Sequence, residues 1–556
     1  MTRRLLLHPA HYSTRSVHAA RIVVLIFLAT GCGGEQATTP PATPTPPASV
    51  VTTIVVTPAT AQLTVGATTA LSASVRNQRD SVLTNRVVTW ASASPAVATV
   101  STTGVVTAVA AGTARITATV DGTTGTATVT VTAAAGPPPL DFQTTVPPID
   151  LNVVPARPTA STITLSVYSA TDRDAIITLI GESRTIPARL TANGATNVEL
   201  TGLAADKGYR YRIDAGSSSV NGQFRTARNA GSSFRFTMQA DSHLDGNSDV
   251  RIYTNTLGNM VADSADFLVD LGDTFMSEKY ADYRTAAAQY YAQRHYFGLS
   301  GVALPLYLVQ GNHDGELGWT AANATWAQQQ RAAYFPPVQA NSFYSAGTPG
   351  SWYSWRWGDA LFIVLDPFVA TTTQPGRAGT AWAFTLGKAQ YDWLANTLQQ
   401  NTAPYTFVFL HNLVGGSGTD GRGGTEASVF YEWGGKNADG TNGFPTQRPG
   451  WLKPIHDLLV QYKASAVFHG HDHLYVKQAR DGIVYQEVPQ PSFARENATS
   501  SATDYGYLSG TILGSSGHLR VTVTPAKATV EYVRSRLTPG NRDVVDSYTI
   551  LPSTRP

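Results

Sequence analysis

From Ser232 onward, short apolar runs break off one after another into polar blocks. SFRFTMQA ends in DSH, ADFLVDLG in DT, LPLYLVQG in NHD, YTFVFL in HN and ASAVFHG in HDH. Between them lie stretches with helical spacing, such as EKYADYRTAAAQYYAQRHYF. Brief β-prone runs separated by helices require an α/β core, and in such cores functional groups gather beyond the carboxyl ends of the strands. All five blocks fall on that side. A chain of 556 residues exceeds what one hydrophobic core can hold, so this segment shares the chain with other domains.

Upstream, about Val50 to Ala133 is rich in Val, Thr and Ala in period-two alternation, as in TTIVVTPATAQLTVG and GTARITATV, with no helical stretch. That pattern predicts a small antiparallel sandwich. The run TWASASPAVATVSTTGVVTAVAAGTARITAT resembles the bacterial immunoglobulin-like domain of the second group, with Trp90 as its core aromatic. Past a Gly-Pro-Pro-Pro linker near Gly136, a second β module runs from about Asp150 to Ala227. Its segment TGLAADKGYRYRI resembles a fibronectin type III strand pattern and implies core positions at Leu203, Tyr209 and Tyr211. Neither module carries residues that look reactive. A spacer role is expected, with contact to a cell-envelope polysaccharide as the other possibility.

The N-terminal MTRRLLLHPAHYSTRSVHAAR has four arginines and no acid, and IVVLIFLAT follows it. Nine apolar residues cannot cross a hydrocarbon layer of about 30 Å as a helix, but they suit the apolar region of a secretory signal. The run ends in LATGC, and Cys32 is the only cysteine of the chain. LATGC resembles a bacterial lipobox, which implies a lipid anchor on Cys32 and a Pro/Thr-rich tether after it. Loss of the four arginines on processing shifts the formal charge from +2 to about −2. No basic tract interleaved with aromatics is present, so dedicated nucleic-acid binding is not expected. With no cysteine in the folded part, any metal site must use nitrogen and oxygen ligands.

In an extended backbone, side chains two apart point the same way, so Asp241 and His243 can share a target, as can His471 and His473. Glycines precede Asp273, Asn312 and His471, where they permit tight turns. Carboxylate, imidazole and amide oxygen together suit Zn, Mn or Fe.

The order DSH, GD, GNHD, H and GHDH resembles the calcineurin-like metallophosphoesterase superfamily over about Phe234 to Tyr532. The resemblance implies a four-layer α/β/β/α domain after the two all-β sandwiches. The expected boundaries are signal peptide 1–31, tether 32–49, Ig-like domain 50–134, linker 135–149, fibronectin-like domain 150–228, catalytic domain 232–535 and C-terminal tail 536–556. It also implies two metal ions, with Asp241, His243 and His473 on one, Asn312, His411 and His471 on the other, and Asp273 bridging them. His313 is then the histidine that contacts the phosphoryl group and protonates the leaving oxygen, and Asp314 completes the turn and orients it. Direct transfer to water from a phosphate ester is the expected reaction. Monoesters are the leading substrate class, diesters and nucleotides the alternatives, and a silent surface-binding lipoprotein the rival from another class. The fibronectin-like and catalytic pair has an outline similar to purple acid phosphatases. Met276 stands where those enzymes place a tyrosine, and His243 is an added histidine, so a non-purple enzyme is implied.

Other polar residues carry weaker expectations. His469 is a supporting donor or a packing residue, His295 and His456 are structural, and His518 has no assigned chemistry. Asp366 either bonds a ligand histidine or caps a turn. Two insertions, 320–357 with its many aromatics and 415–450 with Arg422, Lys436 and Arg448, are expected to flank the substrate opening.

Overall fold

The computed structural model describes residues 49–64, 67–110, 112–132, 141–375, 381–415, 421–495 and 497–554. The signal, the lipobox and Cys32 lie outside the described residues. The chain divides into two compact units, Met1–Gly136 and Pro137–Pro556.

The first unit is all β. Thr60–Thr64, Thr123–Thr132, Gly112–Val120 and Thr89–Ser92 form one sheet in that order, and smaller sheets accompany it. Alternation decides which side chains go inside: Ala114, Ile116, Ala118 and Val120 are buried from a single strand. Trp90 packs against this core from a partly buried position.

The second unit opens with a seven-stranded sandwich. Leu151–Ala156, Ile163–Ser169 and Gly194–Leu200 form one sheet. Arg184–Leu190, Arg173–Ile180, Gly208–Ala215 and Ser218–Arg225 form the other. Leu203, Tyr209 and Tyr211 sit in its core, as the sequence predicts.

Two larger sheets follow. The first contains β1 (Phe234–Gln239), β2 (Leu268–Asp270) and β3 (Leu306–Leu308). The second is built around β4 (Ser345–Ala346), β5 (Tyr353–Trp357), β6 (Ala360–Val364), β7 (Tyr405–Phe409), β8 (Ala466–His469), β9 (Leu474–Arg480), β10 (Ile483–Glu487) and β11 (Thr511–Gly514). The chain then returns to the first sheet with β12 (Gly517–Val523), β13 (Ala528–Arg534) and β14 (Val544–Ile550). The first sheet runs β3-β2-β1-β12-β13-β14 and the second β4-β5-β6-β7-β8-β10-β9-β11. The strands that end in polar blocks pair in parallel: β1 with β2, β2 with β3, and β7 with β8.

Period-two sorting makes the layers. In β6 and β7, Phe362, Val364, Phe407 and Phe409 face the opposing sheet, while Leu361, Ile363 and Val408 face helices. Helices α1 (Val250–Ala262), α2 (Ala287–Gly301) and α3 (Ala321–Tyr334) cover the first sheet. Helices α4 (Gly387–Gln399) and α5 (Ile455–Gln461) cover the second. The result is the expected four-layer α/β/β/α domain.

Two expectations change. The segment taken as a C-terminal tail from 536 contains β14, which pairs with β13 and closes the first sheet. Its burial is one-sided and shallow, the mark of an edge strand, so its apolar signal in the sequence is weak. The aromatics of 320–357 do not flank an opening. Tyr344, Tyr353, Trp355 and Trp357 are fully buried between the sheets, where Trp355 stacks on Tyr307 at 4.1 Å between ring centres.

Candidate active site

Each polar block begins within four residues of its strand's end, but five of the ligand-type residues are not in extended backbone. Asp241, His243, Asp273, His471 and His473 have φ of 60°, 32°, 53°, 85° and 57°. The paired side chains of DSH and HDH therefore converge through left-handed turns, not through strand phase as the sequence suggested. A non-glycine residue in that region costs about 1 kcal/mol or more and persists only where surroundings enforce it. Cross-loop bonds do so here. Asp241 N donates to Gly272 O (2.9 Å), His243 N to Asp273 O (3.2 Å), and His471 N to Asp241 Oδ2 (2.9 Å). His313 N donates to Asp273 Oδ1 (2.8 Å).

The glycines act differently from expectation. Gly272, at φ 94°, does make a left-handed turn. Gly311 and Gly470 serve by lacking a side chain. A Cβ on Gly311 would sit 2.2 Å from both N and Oδ1 of Asp273, and one on Gly470 would sit 2.8 Å from Asp241 Oδ2.

Two groups of donor atoms result. Asp241, His243 and His473 form one, Asp273, His411 and His471 the other, with the atoms of each group within 4.8 Å of one another. Asp273 Oδ2 lies 3.2 Å from His411 Nε2 and 3.8 Å from His243 Nε2, so it faces both groups. Asn312 Oδ1 is buried and makes no hydrogen bond, while its Nδ2 lies 3.1 Å from His313 Nε2. Asp241 Oδ1, His243 Nε2 and His411 Nε2 are buried without hydrogen bonds as well. An orphaned buried polar atom costs about 1–3 kcal/mol, and four in one cluster signal partners of another kind. The donor set, carboxylate, imidazole and amide oxygen, fits a pair of borderline cations.

Electrostatics point the same way. Burial opposes charge on His243 and His411, yet the Asp241 and Asp273 carboxylates raise them to about 10 and about 9. Burial likewise opposes charge on Asp241 and Asp273, but the neighbouring imidazoles hold both well below the usual carboxylate range. The cluster attracts positive charge. At His411, Nδ1 lies 2.8 Å from Leu271 O. A carbonyl only accepts, so Nδ1 carries a proton and Nε2 is the nitrogen turned to the centre, free to give its lone pair to a cation that displaces its own proton.

His313 stands at the rim, partly exposed, with Nδ1 2.9 Å from Glu278 Oε2. Asp314 does not orient that ring. Its carboxylate accepts backbone N–H bonds from Gly311, Asp273, Thr274 and Phe275 at 2.7–3.1 Å, tying the second loop to the third. Burial and the Asp273 charge raise Asp314 to about 7 against those four donors. The partner of His313 is Glu278, which sequence reasoning missed. It lies 35 positions away and its only local signal is an acid five residues after Asp273.

Glu278, Lys279, His313, Trp319, Phe368 and Arg422 line a cleft that reaches His471 of the second group. Arg422 donates to His471 O (2.9 Å) and Asp472 Oδ1 (2.8 Å). Arg448, expected beside it, instead pairs with Glu432 at 2.5 Å and stacks on Trp382 and Trp451, and Lys436 is not among the lining residues. The other histidines among the described residues make structural contacts. His469 bonds Glu487 (2.6 Å), His456 bonds Tyr485 (2.7 Å), and His518 bonds Asp263 (2.7 Å). His295 packs edge-on to Tyr296. Asp366 caps a turn through Phe368 N at 2.8 Å.

Residues 234–475 match the family described as calcineurin-like phosphoesterase, and residues 50–133 match the bacterial Ig-like domain, group 2. No curated protein matches the chain. Among solved structures, the chain is similar to PhoD, at 15% identity, covering 73% of this chain and 92% of that one, with a TM-score of 0.54. It is also similar to a purple acid phosphatase from yellow lupin seeds, at 14% identity, covering 90% and 95%, with a TM-score of 0.49. Ordered blocks, convergent donor groups and the family match agree: residues 234–475 are a calcineurin-like metallophosphoesterase domain, a metal-dependent hydrolase of phosphate esters, preceded by bacterial Ig-like and fibronectin-like β modules.

Proposed function

We propose that the protein is a phosphomonoesterase of the bacterial cell envelope. The observation that carries this reading is the rim of the cleft. His313, held through Nδ1 by Glu278, overlooks Asp273, with Nε2 at 3.8 Å from Asp273 Oδ2, while Trp319 and Phe368 wall one side. A walled cleft with a single proton-bearing imidazole at its mouth suits one leaving group better than a continuous diester strand.

In this reading Asp241, His243 and His473 would hold one ion and Asn312, His411 and His471 the other, with Asp273 available to both. The ions, when bound, supply Lewis acidity toward the phosphoryl group and acidify water at the centre. The chain's own residues do the rest. Asp314 holds the Asp273 loop by three backbone bonds, and its own turn by a fourth from Gly311 N, and so steadies the spacing of the two groups. Glu278 accepts a hydrogen bond from His313 Nδ1, which turns Nε2 inward, 3.1 Å from Asn312 Nδ2 and 3.8 Å from Asp273 Oδ2, and stabilises the ring when Nε2 also carries a proton for the leaving oxygen. Lys279 and Arg422 add positive charge at the mouth and favour an anionic ester. The Ig-like module supports an extracytoplasmic setting, and Cys32 would carry the anchor.

The test uses residues 33–556, stripped by chelation and reloaded with Zn, Mn or Fe, against a panel of mono- and diesters. The expected result is metal-dependent hydrolysis with kcat/KM higher for monoesters, and at least about a 100-fold loss for Asp273→Asn or Asn312→Ala. Unchanged activity in those variants overturns the two-metal reading, and a preference for diesters overturns the monoester assignment. Cys32→Ser in the full chain should release the protein from membranes, and retention there would count against the anchor.

A further inference from the structure

Helix α2 touches both the loops of the metal centre and the fibronectin-like sandwich, and it does so through consecutive residues. Gln293 points to the loops. Its Nε2 donates to Ser242 Oγ (3.0 Å), between Asp241 and His243, and to Thr274 O (2.9 Å), next to Asp273. Its Oε1 accepts from Tyr253 OH at 3.1 Å. Both amide hydrogens and the carbonyl are thus engaged, and the side chain spans the first two polar blocks.

Arg294, about 100° further round the helix, points into the sandwich. Nε donates to Asn152 Oδ1 (2.9 Å), Nη1 to Ser166 Oγ (3.1 Å), and Nη2 to Ser166 O (2.5 Å). Nη1 also donates to Tyr334 O (2.5 Å). Arg294 is fully buried, and all of these acceptors are neutral. A buried guanidinium without a carboxylate is costly and is retained only where neutral acceptors are placed on every side. The surroundings are correspondingly tight: a Cβ on Gly298 would collide with the Asn152 side chain, and one on Gly301 would lie 2.3 Å from Val153 O.

We propose that the fibronectin-like module is a positioning element for the metal centre, coupled to the DSH and GDT loops through Arg294 and Gln293, and not a spacer. Metal ligands tolerate displacements of only about 0.5 Å, and outer groups that orient them commonly change metal affinity by about 10- to 100-fold. A module that fixes the rotation and depth of α2 therefore sets the separation of Asp241 and Asp273. Asn152 and Ser166 act only through Arg294 and touch no residue of the centre.

The test is calorimetric titration of Mn²⁺ or Zn²⁺ into the chelated mature chain, with steady-state kinetics alongside. Asn152→Ala, Ser166→Ala and Gln293→Ala should each weaken metal affinity by about 10-fold and lower kcat with KM within about two-fold of the parent. Asn152→Ala combined with Gln293→Ala should be no worse than Gln293→Ala alone, because both cut one path. Asp174→Ala, on an exposed strand position of the same module, should change nothing. Metal affinity and kcat equal to the parent in Asn152→Ala and Ser166→Ala, or additive losses in the double variant, overturn the coupling. If Asn152→Ala fails to fold, Ser166→Ala, which deletes a single hydroxyl, decides by the same readouts. The inference rests on the two-metal reading. A parent chain that binds no metal would overturn both, whereas a parent that binds metal as its variants do overturns the coupling alone.

Discussion

A methyl group on Gly311 has nowhere to go: both nearest atoms, at 2.2 Å, belong to Asp273. Gly311→Ala should therefore displace the carboxylate that faces both donor groups, cost about 1–3 kcal/mol through overpacking, and weaken metal binding in calorimetry. Wild-type affinity in this variant would refute the close fit. Glu278→Gln keeps the size of the side chain but removes the charge that steadies a protonated His313. Its kcat on monoesters should fall by about 10-fold or more, within the range for general acid–base groups, while metal affinity stays unchanged. A fall in metal affinity would mean that Glu278 serves the ions instead of the imidazole. These two residues differ in legibility. Gly311 stands out in the sequence because a ligand-type block follows it at once. Glu278 meets His313 only after helix α2 and strand β3 intervene, so no local pattern marks it.

At the scale of elements, α1 ends on Asp263, which the structure buries against the first sheet. Burial alone would raise this carboxyl, but hydrogen bonds and charge from His518 and Arg520 hold it at about 2. A folded-state pKa below the ordinary carboxylate value contributes stability above that value and loses it as pH falls through the folded pKa. The advantage of the wild type over Asp263→Asn should thus be present at pH 6 and shrink by about 1–2 kcal/mol between pH 4 and pH 2, after screening at the rim of the cluster. Melting curves of the two proteins across that range check it, and a pH-independent difference would refute it. Strand phase was readable wherever both faces are buried: β6 and β7 announce their two-sided packing by continuous apolar runs. It misled at DSH and HDH, where the backbone leaves the strand and turns left-handed. It also failed at 320–357, whose aromatics look like a wall in one dimension and form the inter-sheet core in three.

For the whole molecule, orphaned donor atoms at the junction of two sheets predict that cations bound there add to the stability of the fold. Chelation should lower the melting temperature of the α/β domain, and readdition at 100 times Kd should restore about 2.7 kcal/mol per site. Equal melting curves with and without metal would refute that link. The sequence alone determined an α/β core behind two β modules, the order of the five blocks and the residue types available as ligands, because apolar periodicity and chain order are local properties; the four layers followed only from the family resemblance. Tertiary structure decided what depends on distance: that Asp273 faces both donor groups, that Asp314 braces a backbone while Glu278 serves the imidazole, that β14 belongs to the first sheet, and that Arg294 joins the β module to α2. Contacts between residues far apart in the chain follow from how the sheets stack and the helices dock, and no window of sequence contains that information.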